Sequence, residues 1–455
     1  MGGPPSLTVQ DAIDALGFGR FQRRLLLVCG VTWAADAAEI LLIAFALPAI
    51  SAEFGVSRAA GGLLVTATFL GMLVGAWFWG VTSDRVGRRA GFQLTVLIFA
   101  VFGALSALAP NLATLAVLRA LTGFGLGGAL PLDFSLYAEY LPRHNRGRNL
   151  VLLESFWALG TIAAAGLAVL LIPTVGWRPL LASSAFAAAL VLWIRRRVPE
   201  SPRYLVTSGR TEDASAVLAQ IAQANGRRLP PGELVAPARG RRAGLATLWG
   251  PRLRTTTATL WAAWFAISFG YYGVFTWLPS VFVNRGFTFL TTYQNTLILA
   301  LAQVPGYLSA AWLVERWGRR PTLAAYLAAS GVFTYLFAIA AGTGTLVVAG
   351  ALMSFFSLGA WGALYAYTPE VYPTEIRATG MGAASSLTRI AGALAPLIGG
   401  LLLPVSLPAA LTVYAAAFLL GGLAVLTAGP ETRDQALADT ARDMDPVSSD
   451  QPAKL

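Results

Sequence analysis

Twelve long apolar stretches, separated by short loops where arginine and turn residues gather, set the pattern of this chain. They run Leu25–Ala49, Ala60–Thr82, Gly91–Ala109, Leu112–Ala138, Asn149–Ile172, Pro179–Ile194, Thr255–Val283, Tyr293–Val314, Pro321–Ala341, Thr345–Thr368, Ala378–Leu403 and Pro408–Ala428. A helix needs roughly 20 mainly apolar residues to cross a bilayer. The pattern therefore predicts an all-α membrane protein with twelve transmembrane helices. Composition agrees, because 455 residues that are 56% hydrophobic and 12% charged have too little polar surface to clothe a soluble globule.

The polar stretches divide the rest. Residues 1–24 form a polar N-terminal segment, 25–195 a first six-helix bundle, 196–253 a linker with short helices, and 254–428 a second six-helix bundle. Residues Thr211 to Ala224 of the linker have helix-forming composition, read as a solvated lid without a site of its own. Residues 429–455 form a Pro-, Asp- and Ser-rich tail that is expected to be disordered. Met1 to Arg24 carries Asp11 and Asp14 and no apolar core, unlike a cleavable signal peptide, so the first span is expected to act as its own insertion signal.

A net charge of +11 raises nucleic acid as a partner, and the placement of the charges argues against it. Of the 33 Lys and Arg residues, Arg58, Arg178 and Arg285 fall on one side of the spans, and Arg119 and Arg389 fall within them; the others share the opposite side with both termini. Such asymmetry follows the positive-inside rule, which predicts cytoplasmic termini and linker; a nucleic-acid partner would need the charges on one soluble face. Cys29 is the single cysteine and His144 the single histidine. No internal disulfide, metal site, cofactor or Cys/His catalytic pair is expected from them. Almost all of the basic charge is arginine, with Lys454 the only lysine, which fits a GC-rich bacterium and hence its inner membrane.

The two bundles repeat one another. Asp84-Arg-Val-Gly-Arg-Arg89 follows the second span and Glu315-Arg-Trp-Gly-Arg-Arg320 the eighth, a shift in numbering of 315 − 84 = 231. Glu139, Pro142 and Arg146 are matched at the same offset by Glu370, Pro373 and Arg377. Two independent motifs in one register imply parallel halves around a central axis.

These motifs resemble the major facilitator superfamily over nearly the whole chain. Gly80-Val-Thr-Ser-Asp84-Arg85-Val-Gly87-Arg88-Arg89 is similar to its signature between spans two and three; Arg119 with Gly123, Gly125, Gly127 and Gly128 resembles its fourth-span motif. Pro199-Glu200-Ser201-Pro202-Arg203 resembles the sugar-porter signature after span six. Within that branch, Trp33-Ala-Ala-Asp36-Ala-Ala-Glu39, Leu153-Glu154-Ser-Phe-Trp157 and Tyr367-Thr-Pro-Glu370-Val-Tyr-Pro-Thr374 look most like bacterial niacin carriers and synaptic-vesicle-related or organic-ion transporters. The resemblance implies the major facilitator fold, with two pseudo-symmetric bundles, and alternating-access transport.

Ion pairs at the cytoplasmic rim would bias which side is open, because a carboxylate held by arginines and a helix N-terminus must let go when the bundles rock. The candidate gate residues are Asp84, Arg85, Arg89, Glu139, Arg146, Glu200, Arg203, Glu315, Arg316, Arg320, Glu370 and Arg377. Simple positive-inside anchoring is the alternative for each arginine.

Charges within spans are costly and are default functional candidates. Asp36 stands where the resemblance places a proton-coupling aspartate and Arg119 where it places the paired arginine, with Glu39 and Asp133 as other possible partners of Arg119. Departures from the sugar pattern matter as much. Ala266 and Ile267 replace the span-seven glutamine pair in a register fixed by Gly270. Glu154 replaces the span-five glutamine, and Arg389 a tryptophan-bearing position in span eleven. Together with Tyr271, Tyr272, Trp277, Gln303, Trp361 and Tyr365, they suit a flat charged ring better than a polyol: the rings stack on it, Arg389 binds a carboxylate, and Glu154 faces a ring nitrogen or a positive group, a pair between Arg389 and Glu154 being the alternative.

The expected function is proton-coupled uptake of a small aromatic or carboxylated metabolite such as nicotinate, by a monomer whose partners are solute, protons and lipid. An organic cation or a sugar are the alternatives within the class, and a non-transporting receptor lies outside it. A membrane enzyme would need a nucleophile with its base, or a metal motif such as HExxH, and the sequence offers neither.

Overall fold

A computed structural model of the protein describes residues 6–235, 245–373 and 376–433. Its twelve spanning helices are Arg20–Phe54, Arg58–Gly80, Arg88–Leu108, Leu112–Glu139, Arg148–Val175, Trp177–Arg197, Arg254–Asn284, Phe289–Arg316, Arg319–Ile339, Thr343–Val371, Thr379–Leu402 and Leu407–Ala428. Each coincides with one of the apolar stretches to within a few residues at either end. The seventh is buried along almost its whole length, whereas the sixth exposes most of its surface, as a central and a lipid-facing helix would.

Packing repeats between the halves. Span two lies on span four, one on five, and three on four and six; span eight lies on ten, seven on eleven, and nine on ten and twelve. Small residues let the backbones approach, as in other membrane bundles. A Cβ added at Gly75 would run into the Phe124 carbonyl oxygen, and one at its repeat counterpart Gly306 into the carbonyl oxygen of Phe355, itself the counterpart of Phe124. The halves themselves meet through spans two and eleven, five and eight, and one and seven.

The linker helix packs one face and leaves the other exposed. Helix Thr211–Asn225 buries Ala214, Val217, Leu218, Ile221 and Ala222, a stripe at helical spacing. The N-terminal segment is tied to it. Strand Ser6–Thr8 pairs in parallel with Glu233–Val235, and helix Val9–Leu16 follows, its first turn capped by the Thr8 hydroxyl. Asn225 then accepts from the Phe21 amide (3.1 Å) and donates to the Gly17 carbonyl (3.2 Å) and to Gln22 (2.9 Å). Asp14 accepts from the Arg143 amide at 2.7 Å, fixing the same segment to the loop after span four. The start of the tail is engaged as well: Tyr367 donates to the Pro430 carbonyl at 2.6 Å. Residues 434–455, where disorder was expected, lie outside the described residues.

Candidate transport site

At the face carrying both chain ends, the repeat produces two matching clamps. Arg88 pairs with Glu139 (3.6 Å), and Arg319 grips Glu370 through Nε at 2.9 Å and Nη2 at 3.2 Å. The Ser201 hydroxyl donates to Glu139, and the Thr432 hydroxyl to Glu370. Glu200 accepts from the Arg89 amide at 3.1 Å; Glu431 accepts from those of Arg319 at 3.0 Å and Arg320 at 3.2 Å. Glu200 and Glu431 are themselves related by the repeat offset, and each caps the positive N-terminus of the helix that follows the loop motif.

A glycine makes the capping possible in each half. Gly87 (φ 99°) and Gly318 (φ 105°) turn the chain into that helix, and a Cβ there would lie 2.5 Å from Glu200 and 2.6 Å from Glu431. The arginine guanidinium after each turn then reaches the end of the last span of its bundle, Arg89 the Arg195 carbonyl and Arg320 that of Leu426.

These contacts revise the expected gate. The pairing arginines are Arg88 and Arg319, one residue ahead of Arg89 and Arg320. Glu315 joins Arg319 at 3.2 Å, Arg316 lies over the Trp312 ring at 4.3 Å, and Arg146 donates to Gln10 at 2.5 Å. Arg203 is exposed. The side chains of Asp84, Arg85 and Arg377 lie outside the described residues. The ion pairs Arg88–Glu139, Arg319–Glu315 and Arg319–Glu370 each close within one half.

Four of the six charges within the spans separate into a pair and two lone acids. Arg119 Nη1 meets Glu39 Oε1 at 2.6 Å and Nη2 meets the Glu39 carbonyl at 3.2 Å, while the Ser184 hydroxyl donates to the other carboxylate oxygen. Glu39 is therefore the partner of Arg119, in place of Asp36. Asp133 lies further along the same helix than Arg119, by about four turns or roughly 21 Å at the helical rise, and is out of reach. Asp36 and Asp133 are buried, and no oxygen of either has a hydrogen-bond partner.

A cavity opens between the halves, lined by Trp33, Asp36, Met72, Glu154 and Trp157 from the first and by Trp264, Tyr272, Trp361, Tyr365 and Arg389 from the second. Span five is interrupted beside Glu154: the Ala158 amide bonds to the Ser155 carbonyl at 3.3 Å, three residues back instead of four, which sets Glu154 at a tightened turn. Arg389 folds back on its own helix, donating from Nη1 to the Ser385 carbonyl at 2.9 Å and leaving Nε without a partner. Glu154 Oε2 also has none, and no described carboxylate pairs with Arg389. Opposite charges thus face one cavity from opposing walls without neutralising each other.

Five of the expected binding residues, Glu154, Tyr272, Trp361, Tyr365 and Arg389, line this cavity; Tyr271, Trp277 and Gln303 are set elsewhere. The Tyr271 hydroxyl accepts from Trp157 at 3.1 Å and Trp277 donates to the Pro396 carbonyl at 3.1 Å. Gln303 is buried with both ends of its amide unpartnered. Sequence reasoning missed Trp33, Trp157 and Trp264 as wall residues, and missed Glu431. The repeat register carried the signal for two of these: it maps Trp33 onto Trp264 and Glu200 onto Glu431.

Away from the chain ends, the halves are bolted together. Tyr293 donates to the Phe45 carbonyl at 2.9 Å and Thr66 to that of Ala393 at 2.8 Å, and Arg58 reaches Asn284.

Comparison with known proteins places this architecture. The family described as "Sugar (and other) transporter" matches residues 20–443. The niacin transporter NiaP of Acinetobacter baylyi is 42% identical over 85% of this chain and 88% of its own, and the putative niacin/nicotinamide transporter NiaP of Bacillus subtilis is 37% identical over 91% and 98%. A synaptic vesicle 2-related protein of Rattus norvegicus is 35% identical over 95% and 82%. Among solved structures, the partially occluded, inward-open xylose transporter XylE of E. coli superposes with a TM-score of 0.75 at 18% identity, covering 92% of this chain and all (100%) of that one. The chain belongs to the sugar (and other) transporter family of the major facilitator superfamily, and is a multi-pass membrane transporter of small molecules rather than an enzyme.

Proposed function

We propose that the protein carries a small aromatic carboxylate, with nicotinate as the named candidate, inward across a bacterial inner membrane in company with protons, acting as a monomer with cytoplasmic termini. The observation that carries this reading is the cavity with unpaired Arg389 on one wall, unpaired Glu154 on the other, and indole and phenol rings between them. A guanidinium presents a planar fork to a carboxylate, rings stack on a flat heterocycle, and Glu154 on the cavity wall is an acceptor for a protonated ring nitrogen. The two NiaP relatives are named for the same solute. Asp36 supplies the coupling: it is a protonatable wall residue with no partner, so its proton state can follow the side to which the cavity is open.

Binding to the purified carrier tests the solute. A charged hydrogen bond is worth about 1.5–3 kcal/mol, so Arg389→Ala weakens nicotinate binding by roughly ten- to a hundredfold, and Arg389→Lys recovers part of it. Nicotinamide, which lacks the carboxylate, binds poorly to the parent and loses little on mutation. Equal losses for both ligands would make Arg389 structural and favour an organic cation held by Glu154. A further relative supports that alternative: an organic cation/carnitine transporter of Arabidopsis thaliana is 34% identical to the chain, and aromatic rings around a carboxylate also suit a cation.

A further inference from the structure

We propose that Trp33, Phe134, Tyr365 and Trp264 form the gate that closes the cavity toward the face carrying both chain ends. Phe134 and Tyr365 are counterparts at the repeat offset, and so are Trp33 and Trp264. The four rings are therefore two copies of one pair. Trp33 stands edge-on to Phe134 with centroids 5.2 Å apart and planes at 77°, and Trp264 stands edge-on to Tyr365 at 5.1 Å and 78°. Phe134 and Tyr365 stack on each other across the halves at 5.9 Å and 23°. A residue that touches its own repeat counterpart sits on the axis relating the two, as in an isologous contact.

Position along the helices gives the stack its direction. Phe134 is five residues from the end of span four at Glu139, and Tyr365 is six from the end of span ten at Val371. Both ends lie at the face with the rim clamps, so the stack is about 8–9 Å inside it at the helical rise. Trp33, Trp264 and Tyr365 line the cavity and Phe134 does not; the stack therefore stands between the cavity and that face.

The chemistry suits a contact that must break in every cycle. At the opposite end the halves are held by hydrogen bonds from Tyr293 and Thr66. At the clamp end Phe134 and Tyr365 stack across the halves, beside the packing of the start of span five on span ten. Stacked and edge-on rings attract weakly and without fixed hydrogen bonds. Any motion that splays the halves at this end separates the stack, while each edge-on pair travels intact with its own half.

Accessibility tests the gate without any assumption about the solute. In a Cys29→Ala background with Ser385→Cys on the cavity wall, a bulky impermeant maleimide is added to oriented proteoliposomes from the side of the chain ends. Phe134→Ala and Tyr365→Ala each raise the labelling rate roughly two- to tenfold, the range that one aromatic pair contributes. The double variant gains little beyond either single change, because both remove one contact. Phe134→Tyr and Tyr365→Phe keep the rings and label at the parent rate. Phe134→Leu, which keeps apolar volume and loses the ring, labels like the alanine variant and serves if that variant does not fold. Unchanged labelling in the alanine and leucine variants, or conservative variants labelled as fast as they are, would overturn the gate.

Discussion

The rim and the interior of this carrier follow the internal repeat to different degrees. At the rim the copy is nearly complete: Arg88 and Glu139 return as Arg319 and Glu370, Gly87 and Glu200 as Gly318 and Glu431, all at the one repeat offset and with corresponding contacts. Inside, no charge is copied. Asp36 maps onto Ile267, Glu39 onto Gly270, Arg119 onto Gly350, Asp133 onto Leu364 and Glu154 onto Ser385, while Arg389 maps back onto Ala158. Symmetry survives where the halves must move as equivalent bodies. It is lost where a solute or a proton has to be told apart, since an asymmetric ligand on a two-fold axis cannot use the same contact twice. The aromatic quartet belongs to the first class although it borders the second.

If coupling is confined to the first half, removing its wall acid should separate coupling from transport. Asp36→Asn is expected to abolish accumulation driven by a proton gradient while leaving exchange between two loaded compartments intact, because the amide imitates the protonated acid in both orientations. Ser268→Asn, beside Ile267 in the second half, has no such expectation. Accumulation by Asp36→Asn proteoliposomes against a solute gradient would move coupling to Asp133, the other buried acid with neither oxygen hydrogen-bonded.

The Arg119–Glu39 pair has no counterpart in the second half, and its loss should not be buffered. Truncating one member of a buried pair leaves an uncompensated charge and costs about 3–5 kcal/mol, so Arg119→Ala is expected to lower the thermal midpoint of the purified protein sharply. Arg119→Met together with Glu39→Met removes both charges and should recover most of that loss. If the double variant is no more stable than Arg119→Ala, the pair is not an isolated unit, and Ser184 or Asp36 shares in it.

The spans were legible because length and hydropathy are summed over some twenty residues, and errors at the ends do not move a helix. The rim was legible in kind. Carboxylates and arginines at turns announced a clamp, yet the choice between Arg88 and Arg89 depends on the turn at Gly87, which sends one side chain to Glu139 and the other to the Arg195 carbonyl. The partner of Arg119 was open for a similar reason: Asp36 and Glu39 are three residues apart on one helical face, and only the height of Arg119 on span four separates them. Trp277 and Tyr271 were drawn into the site by residue type alone. Which indole meets a carbonyl and which lines the void is decided by packing between spans, and no local pattern encodes it.

The smallest test asks whether the two rim turns are equivalent in energy as well as geometry. Gly87 and Gly318 have extended ψ at positive φ (99° and 153°; 105° and 167°), a region almost reserved for glycine, where another residue costs about 1–3 kcal/mol. Gly176→Ala measures that strain alone, because Gly176 shares the conformation (φ 85°, ψ −173°) with no atom within 4 Å of an added Cβ. At Gly87 and Gly318 the new methyl also displaces a capping carboxylate, so Gly87→Ala and Gly318→Ala should each destabilise by roughly 0.5–1.5 kcal/mol more than Gly176→Ala. The two should match one another. Thermal midpoints of the three variants decide it: equal shifts at 87 and 318 beyond that at 176 support one clamp made twice. A loss confined to Gly87 would show that Glu200 holds its half closed while Glu431 only fills the corresponding space.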